Sequence, residues 1–221
     1  MGRTKYSPEE RNRITKIFLS STREIIEQEG VGELSIRRIS HKAGFNSATL
    51  YLYFEDVDEL ITLACMGYLE KFCRQASQAI SKLNDPCEIY RRVWEIFCRE
   101  AFTKPKIFYR LYFYPHSSSL EHTVKRYYEI YPDQLPPCAT PIQSMLVHGG
   151  LLERNWPLLQ EAARVLRIPE DQAQIINHLT VYHFKELLQQ AAQTDHTDVE
   201  ARSKQQMDAI RLLMEQYKEN A

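Results

Sequence analysis

Ser47, Thr49, Tyr51 and Tyr53 place four hydroxyl groups in seven residues, just after Asn46. Hydroxyls both donate and accept hydrogen bonds, so a surface that carries them can read polar edges. Covalent chemistry needs more than this, and the chain assembles none of the usual sets. There is no phosphate-binding loop, no dinucleotide fingerprint and no HExxH. His148-Gly149-Gly150 has the composition of an oxyanion-hole loop, yet no G-x-S-x-G follows and the strands that motif needs are missing. The five cysteines, Cys65, Cys73, Cys87, Cys98 and Cys138, form no CxxC pair, and the count is odd. That favours free thiols in a reducing compartment over a disulfide framework. The seven histidines are scattered and none pairs with a cysteine at zinc-ligand spacing. The expectation is a chain that is not an enzyme and holds no metal and no cofactor; a hydrolase is the remotest alternative.

Holding the hydroxyl run in place is a matter for the residues on either side of it. Ser35 can cap a short helix running through Ala43, with Ile36, Ile39 and Ala43 on its inner face. Gly44 follows where a helix ends in a left-handed residue, a conformation glycine adopts without strain. Asn46 or Ser47 can cap a second helix whose inner side is Ala48, Leu50 and Phe54. Ser40 lies four residues before Gly44 and Leu50 six after it. Two helices crossing steeply over a short turn need that set: a small residue at closest approach, a turn glycine and an apolar anchor. The second helix would present Ser47, Thr49 and the tyrosines outward, toward a major groove. A helical hairpin that never meets DNA obeys the same spacing, and on spacing alone both readings stand.

A longer pattern surrounds this one. Glu24-Ile25-Ile26-Glu27-Gln28-Glu29-Gly30 precedes Leu34-Ser35-Ile36-Arg37-Arg38-Ile39; then come Ala43-Gly44-Phe45, Leu50-Tyr51-Leu52-Tyr53-Phe54 and Asp58-Glu59-Leu60. Over roughly residues 10–62 the chain resembles the DNA-binding domain of the tetracycline-repressor family, in the same order and at the same distance from the N-terminus. The resemblance implies that Ser47, Ala48 and Thr49 face base edges, through hydroxyl hydrogen bonds and methyl contacts. It implies that Tyr51 and Tyr53 donate to phosphates and that Arg37 and Lys42 add charged phosphate contacts. Tyr53 stands where the family often has histidine. Val57 is a departure: the family usually places a lysine there that meets the DNA backbone, and here the segment Glu55-Asp56-Val57-Asp58 is acidic. Carboxylates there suit a helix N-terminus but repel phosphate. Affinity would then lean on Arg3, Lys5 and the helix dipoles.

The rest of the chain reads as helix throughout. Glycine is sparse, with seven in 221 residues and none after Gly150. Ser7-Pro8-Glu9-Glu10, Asp85-Pro86-Cys87-Glu88, Asp56 with Glu59, and Thr197 with Glu200 all carry helix-start signals. Tyr131–Pro141, with four prolines, reads as an irregular connection. The expected fold is all-α: a three-helix helix-turn-helix DNA-binding domain over 1–56, then a larger helical ligand-binding and dimerisation domain over 57–221. Charge agrees weakly: residues 1–50 hold nine Lys and Arg against six Asp and Glu, while the whole chain is at -1.

Residues 57–82 read as one long connecting helix. Beyond it aromatic residues concentrate, and ordinary core packing accounts for most of them; the resemblance implies a pocket here for a small, largely apolar ligand, with Tyr90, Trp94, Phe97, Tyr109, Tyr112 and Tyr128 as candidates to line it. Lys104–Arg110 reads as a short amphipathic helix. Residues 171–192 are apolar on nearly every side, which calls for burial on every side. With a final helix near 198–218 they either pack on their own chain or build a homodimer seam, and the resemblance implies the seam. The expected partners are therefore double-stranded operator DNA, a second copy of the chain and the ligand. With no apolar run of membrane-spanning length and no signal peptide, no membrane is expected, and the expected place is cytoplasmic, at the bacterial nucleoid. The resemblance implies a transcriptional regulator, a repressor released by its ligand; a helical scaffold for protein partners is the alternative from another class.

Overall fold

The computed structural model describes residues 7–114, 120–134, 142 and 150–218. Every regular element among them is helical: α1 (Pro8–Glu29), α2 (Ile36–Ala43), α3 (Ser47–Leu50), α4 (Val57–Ile80), α5 (Pro86–Thr103), α6 (Pro105–Phe113), α7 (Leu120–Ile130), α8 (Leu151–Leu166), α9 (Glu170–Ala192) and α10 (Val199–Lys218), with short 3-10 turns at Val31–Glu33 and Pro132–Gln134. Cys138, His148, Gly149 and the basic residues Arg3 and Lys5 lie outside the described residues, as does most of the proline-rich connection.

The helix starts follow the local chemistry. The Ser7 hydroxyl accepts from the Glu10 amide with Pro8 in the first turn, and Asp85 accepts from the Cys87 amide ahead of Pro86. Each side chain satisfies an amide that the helix leaves without a partner. At α4, Asp56 Oδ1 accepts from the Glu59 amide at 2.8 Å, and Glu59 Oε2 accepts in return from the Glu55 amide at 2.7 Å. The last start differs from expectation. Asp198, not Thr197, caps α10, accepting from the Ala201 amide at 3.0 Å; the Thr197 hydroxyl donates to the Ala191 carbonyl at the end of the preceding helix. A carboxylate out-competes a hydroxyl for an amide at a helix N-terminus because its full charge also meets the dipole.

Two compact units form. One joins residues 1–67 with 115–135, and the other joins 68–114 with 136–221, so the division falls inside α4 at Gly67. The first unit thus holds α1, α2, α3, the start of α4 and also α7. Its core centres on Phe18, whose ring lies 5.2 Å from Phe45, 6.2 Å from Tyr53 and 5.9 Å from Phe54.

The second unit centres on Phe97. Its ring meets Phe72, Trp94, Phe108, Tyr112 and Phe184 at centroid distances of 5.0–5.8 Å. There α9 packs on α6 and α8, and α10 packs on α5. The all-round apolar helix is not covered all round by its own chain. Ile176, Val181, Phe184, Leu187 and Leu188 of α9 are buried, whereas Ile175, Leu179 and Tyr182 remain 47%, 45% and 56% exposed. These three recur at helical spacing, so they form one uncovered stripe.

Candidate nucleic-acid interface

The turn between α2 and α3 is built from bonds that the sequence supplies locally. Ser35 caps α2 by accepting from the Arg38 amide at 3.3 Å. At the other end Gly44 takes φ 77°, ψ 25°, the left-handed region. Its amide bonds the His41 carbonyl at 3.1 Å and the Phe45 amide bonds the Ser40 carbonyl at 2.9 Å. That pair of bonds closes a helix on a left-handed residue, which any side chain beyond hydrogen would strain. Phe45 then drops onto Phe18, fixing the direction in which the chain leaves. Asn46, not Ser47, caps α3, its side-chain oxygen accepting from the Thr49 amide at 3.0 Å. Helical turns continue past Leu50, with the Tyr53 and Phe54 amides both bonded to the Leu50 carbonyl. Leu50 itself is wholly buried and anchors the element.

This arrangement exposes Ser47, Ala48 and Tyr51, and leaves Thr49 half-buried. Ala48, expected on the inner side as well as at base edges, faces outward only, and Leu50 with Phe54 supplies the inner contact. Tyr53 departs from the outward reading. It is 4% exposed, packed near Phe18 and beneath the Arg11 guanidinium at 5.2 Å. The three-residue turn after α3 rotates Tyr53 away from the face that holds Tyr51, which is 53% exposed. Thr49 carries a constraint of its own: its hydroxyl lies 3.0 Å from the same Asn46 oxygen that accepts from the Thr49 amide.

On α2, Arg37, Arg38, His41 and Lys42 line an open groove against Ile25 and Glu29 of α1. Arg38 is ion-paired to Glu29 and Glu33, and Lys42 lies 3.0 Å from Glu24. All of these side chains are partly exposed, so the pairs are worth at most about 1 kcal/mol and can give way to phosphate. Arg37 is exposed. The acidic segment at 55–59 serves the fold, since Asp56 and Glu59 close the N-terminus of α4.

The proposed ligand residues divide. Trp94, Phe97 and Tyr112 line one internal cavity of the second unit together with Phe72, Val93, Leu151, Asn155 and Leu158. Its volume is about 10 Å³, room for a single water. Tyr90 stands one bond behind it in a buried polar network that sequence reasoning did not find. Asn155 accepts from Trp94 Nε1 at 2.8 Å and donates to the Tyr90 oxygen at 3.3 Å and to Asn177 at 2.8 Å. Burial pushes the Tyr90 phenol up to about 12 and raises Tyr112 too, so both stay neutral. Arg154, 1% exposed, lies 5.7 Å from the Tyr112 ring. Two expected residues fall elsewhere. Tyr109 sits on α6 with its hydroxyl 3.5 Å from Gln189, and Tyr128 belongs to α7 in the first unit, beside Tyr127. Nearness in sequence groups both with the pocket; helical phase and the return of the chain separate them.

Among the described residues every element is helical, and the N-terminal unit presents a short helix over a closed left-handed turn, the geometry of a helix-turn-helix. Residues 18–63 match the model of the bacterial regulatory proteins of the tetR family. Over 159 residues, 72% of this chain and 73% of the relative, the sequence is 29% identical to the HTH-type transcriptional regulator BetI of Brucella canis, and the same holds for BetI of Brucella suis. The fold is similar to that of RolR in complex with resorcinol, at a TM-score of 0.62, 15% identity and coverage of 96% of this chain and 95% of that one. It is also similar to FadR of Thermus thermophilus, a TetR-family transcriptional repressor in complex with lauroyl-CoA, at a TM-score of 0.60, 13% identity and coverage of 91% and 93%. Among the described residues no helix is long and apolar enough to cross a membrane.

Proposed function

We propose that this chain is a transcriptional regulator of the tetR family that binds a near-palindromic operator as a homodimer, represses, and is released by a small, largely apolar ligand held in the second unit. The observation that carries the DNA reading is the closed turn at Gly44, which leaves Ser47, Ala48, Thr49 and Tyr51 outward on a helix anchored by Leu50. Ser47, Ala48 and Thr49 face base edges; Tyr51, Arg37 and Lys42 hold phosphates. Tyr53 acts from within, as a packing residue. The reading head comprises residues 1–56, expected from the sequence, together with the start of α4 and α7, which fold into the same compact unit.

The uncovered stripe of Ile175, Leu179 and Tyr182 on α9, with Leu212 of α10 59% exposed, supports assembly of two copies through about 171–218. The ligand would enter the cavity among Trp94, Phe97 and Tyr112, with Tyr90 and Asn155 as polar handles. A cavity this small must open to admit it, so binding selects a rearranged state. That is the condition for a switch, since a ligand shifts an equilibrium only by its differential affinity for the two states. The Thermus FadR repressor in complex with lauroyl-CoA and RolR in complex with resorcinol lend the reading support by analogy of fold.

The test is titration of candidate small apolar compounds against the protein with and without duplex DNA from upstream of its own gene. Five- to hundredfold weaker ligand binding in the presence of DNA is expected, the usual scale of such coupling. Equal affinities would show a ligand that does not switch the protein.

A further inference from the structure

The reading helix is four residues long, too short to be stable alone, so its direction is set by what holds its ends. Its leading end is held by Gly44 and Asn46. The trailing end is held from far away. Arg126 of α7 is ion-paired to Glu59, and its guanidinium also donates to the Tyr53 carbonyl. The same group lies 5.5 Å from the Phe54 ring. Glu59, only 1% exposed at its side chain, returns its second oxygen to the Glu55 amide. Tyr53, Phe54 and Glu55 are thus gripped in succession by one arginine and its carboxylate. Arg11 adds a donor to the Leu52 carbonyl at 2.5 Å. Desolvation pulls Arg126 below its ordinary pKa, with Glu55 opposing, and the paired geometry keeps it charged.

Resting on the DNA-binding reading above, we propose that Arg126 is a positioning residue for operator recognition. Through Glu59 and the Tyr53 carbonyl it fixes the trailing end of the reading helix, which makes α7 a working part of the DNA-binding head. A planar guanidinium suits this role because its forked donors reach two acceptors at once, which an ammonium does not match. α7 also packs against α1, and Arg23 of α1 lies 5.1 Å from the Tyr131 ring beyond its end, so the arginine sits on a braced element.

The Arg126 side chain is 24% exposed, so a direct phosphate contact is the rival account, and plain scaffolding is a second. Arg126→Gln, Glu59→Gln and the double variant are compared on a duplex that the wild-type chain selects from random DNA, across a salt series, with thermal melting followed in parallel. Positioning predicts that each single variant weakens binding by about tenfold or more, the scale of a lost hydrogen bond to a charged group. The double variant should lose no more than either single, and the salt slope should stay at the wild-type value because no phosphate contact is removed. Glu59→Gln decides by sign. If charge alone mattered, deleting a carboxylate beside DNA would tighten binding. A slope lower by about one unit in Arg126→Gln, together with undiminished binding by Glu59→Gln, would assign a phosphate contact and overturn the proposal. Wild-type affinity in both variants would overturn it as well, leaving scaffolding. If Arg126→Gln does not fold, Glu59→Gln and Arg126→Lys carry the same decision: lost affinity in a folded protein supports positioning, and retained affinity refutes it. A wild-type chain that selects no duplex would refute the DNA reading itself, a separate failure.

Discussion

Thr49 can be assigned a direction of hydrogen bonding, and that direction predicts which base it reads. The Asn46 side-chain oxygen accepts from the Thr49 amide, which can only donate, so it is the carbonyl oxygen that faces Thr49. The Thr49 hydroxyl lies 3.0 Å from this acceptor, so its proton is committed there. Toward DNA the hydroxyl then offers only lone pairs. In the major groove an acceptor finds its partner in the exocyclic amino group of adenine or cytosine, not in the oxygens of thymine or guanine. Thr49→Val removes the acceptor and keeps the shape, while Asn46 still caps the amide of residue 49. A net hydrogen bond is worth about 0.5–1.5 kcal/mol, and a base amino group left without its partner raises the loss to about 1–2 kcal/mol per half-site. That is roughly five- to thirtyfold in affinity. The assay is competition binding on the selected duplex, with each adenine of a half-site replaced in turn by purine and each cytosine by pyrimidin-2-one, bases that lack the amino group. One replacement should weaken the wild type by this amount and leave Thr49→Val unchanged. If every replacement affects the two proteins equally, or if the Thr49-dependent position proves to be a thymine or guanine oxygen, the hydroxyl does not act as the acceptor and the reasoning fails.

Three other outcomes follow from the same geometry. Tyr51→Phe should weaken all duplexes alike through loss of a phosphate donor, whereas Tyr53→Phe, buried at 4% exposure, should leave sequence preference and the salt slope unchanged; binding titrations over salt separate the two. Val57→Lys should tighten binding and steepen the salt slope by about one unit, because it restores a cation beside the reading head; an unchanged slope would place the acidic segment away from DNA. Leu179→Glu with Tyr182→Glu should yield folded monomers by sedimentation, while Leu187→Glu, at 3% exposure, should cost stability instead; dimers that persist in the double variant would remove the α9 stripe from the seam.

The caps at Ser7, Ser35 and Asp85, the capped start of α4 at Asp56 and the closed turn at Gly44 were legible in the sequence, whereas α7 and α8 were not. Each cap, and the turn, is made by bonds that span at most five residues, so residue types at fixed offsets determine them. The run from Ser35 to Phe54 was legible for the same reason, down to Ser40 and Leu50 buried on either side of the turn. Tertiary structure decided what distance along the chain conceals. Tyr53 and Tyr51 are chemically alike and two residues apart, yet Arg11 and Phe18 cover one and leave the other open. No offset foretells that, because the covering groups lie 35–42 residues earlier. On α9 an apolar face all round said only that burial was needed; which side the chain itself fills, with Leu187 and Leu188, and which side stays open at Leu179 and Tyr182, depended on where α6 and α8 pack. The pocket rings sorted the same way: Tyr112 turned to the cavity, Tyr109 to Gln189, and Tyr128 left for the other unit. The grip of Arg126 on Glu59 and Tyr53, across 67 and 73 residues, had no trace in the local pattern. A salt bridge of that reach exists only because the folded chain brings α7 back to the reading head.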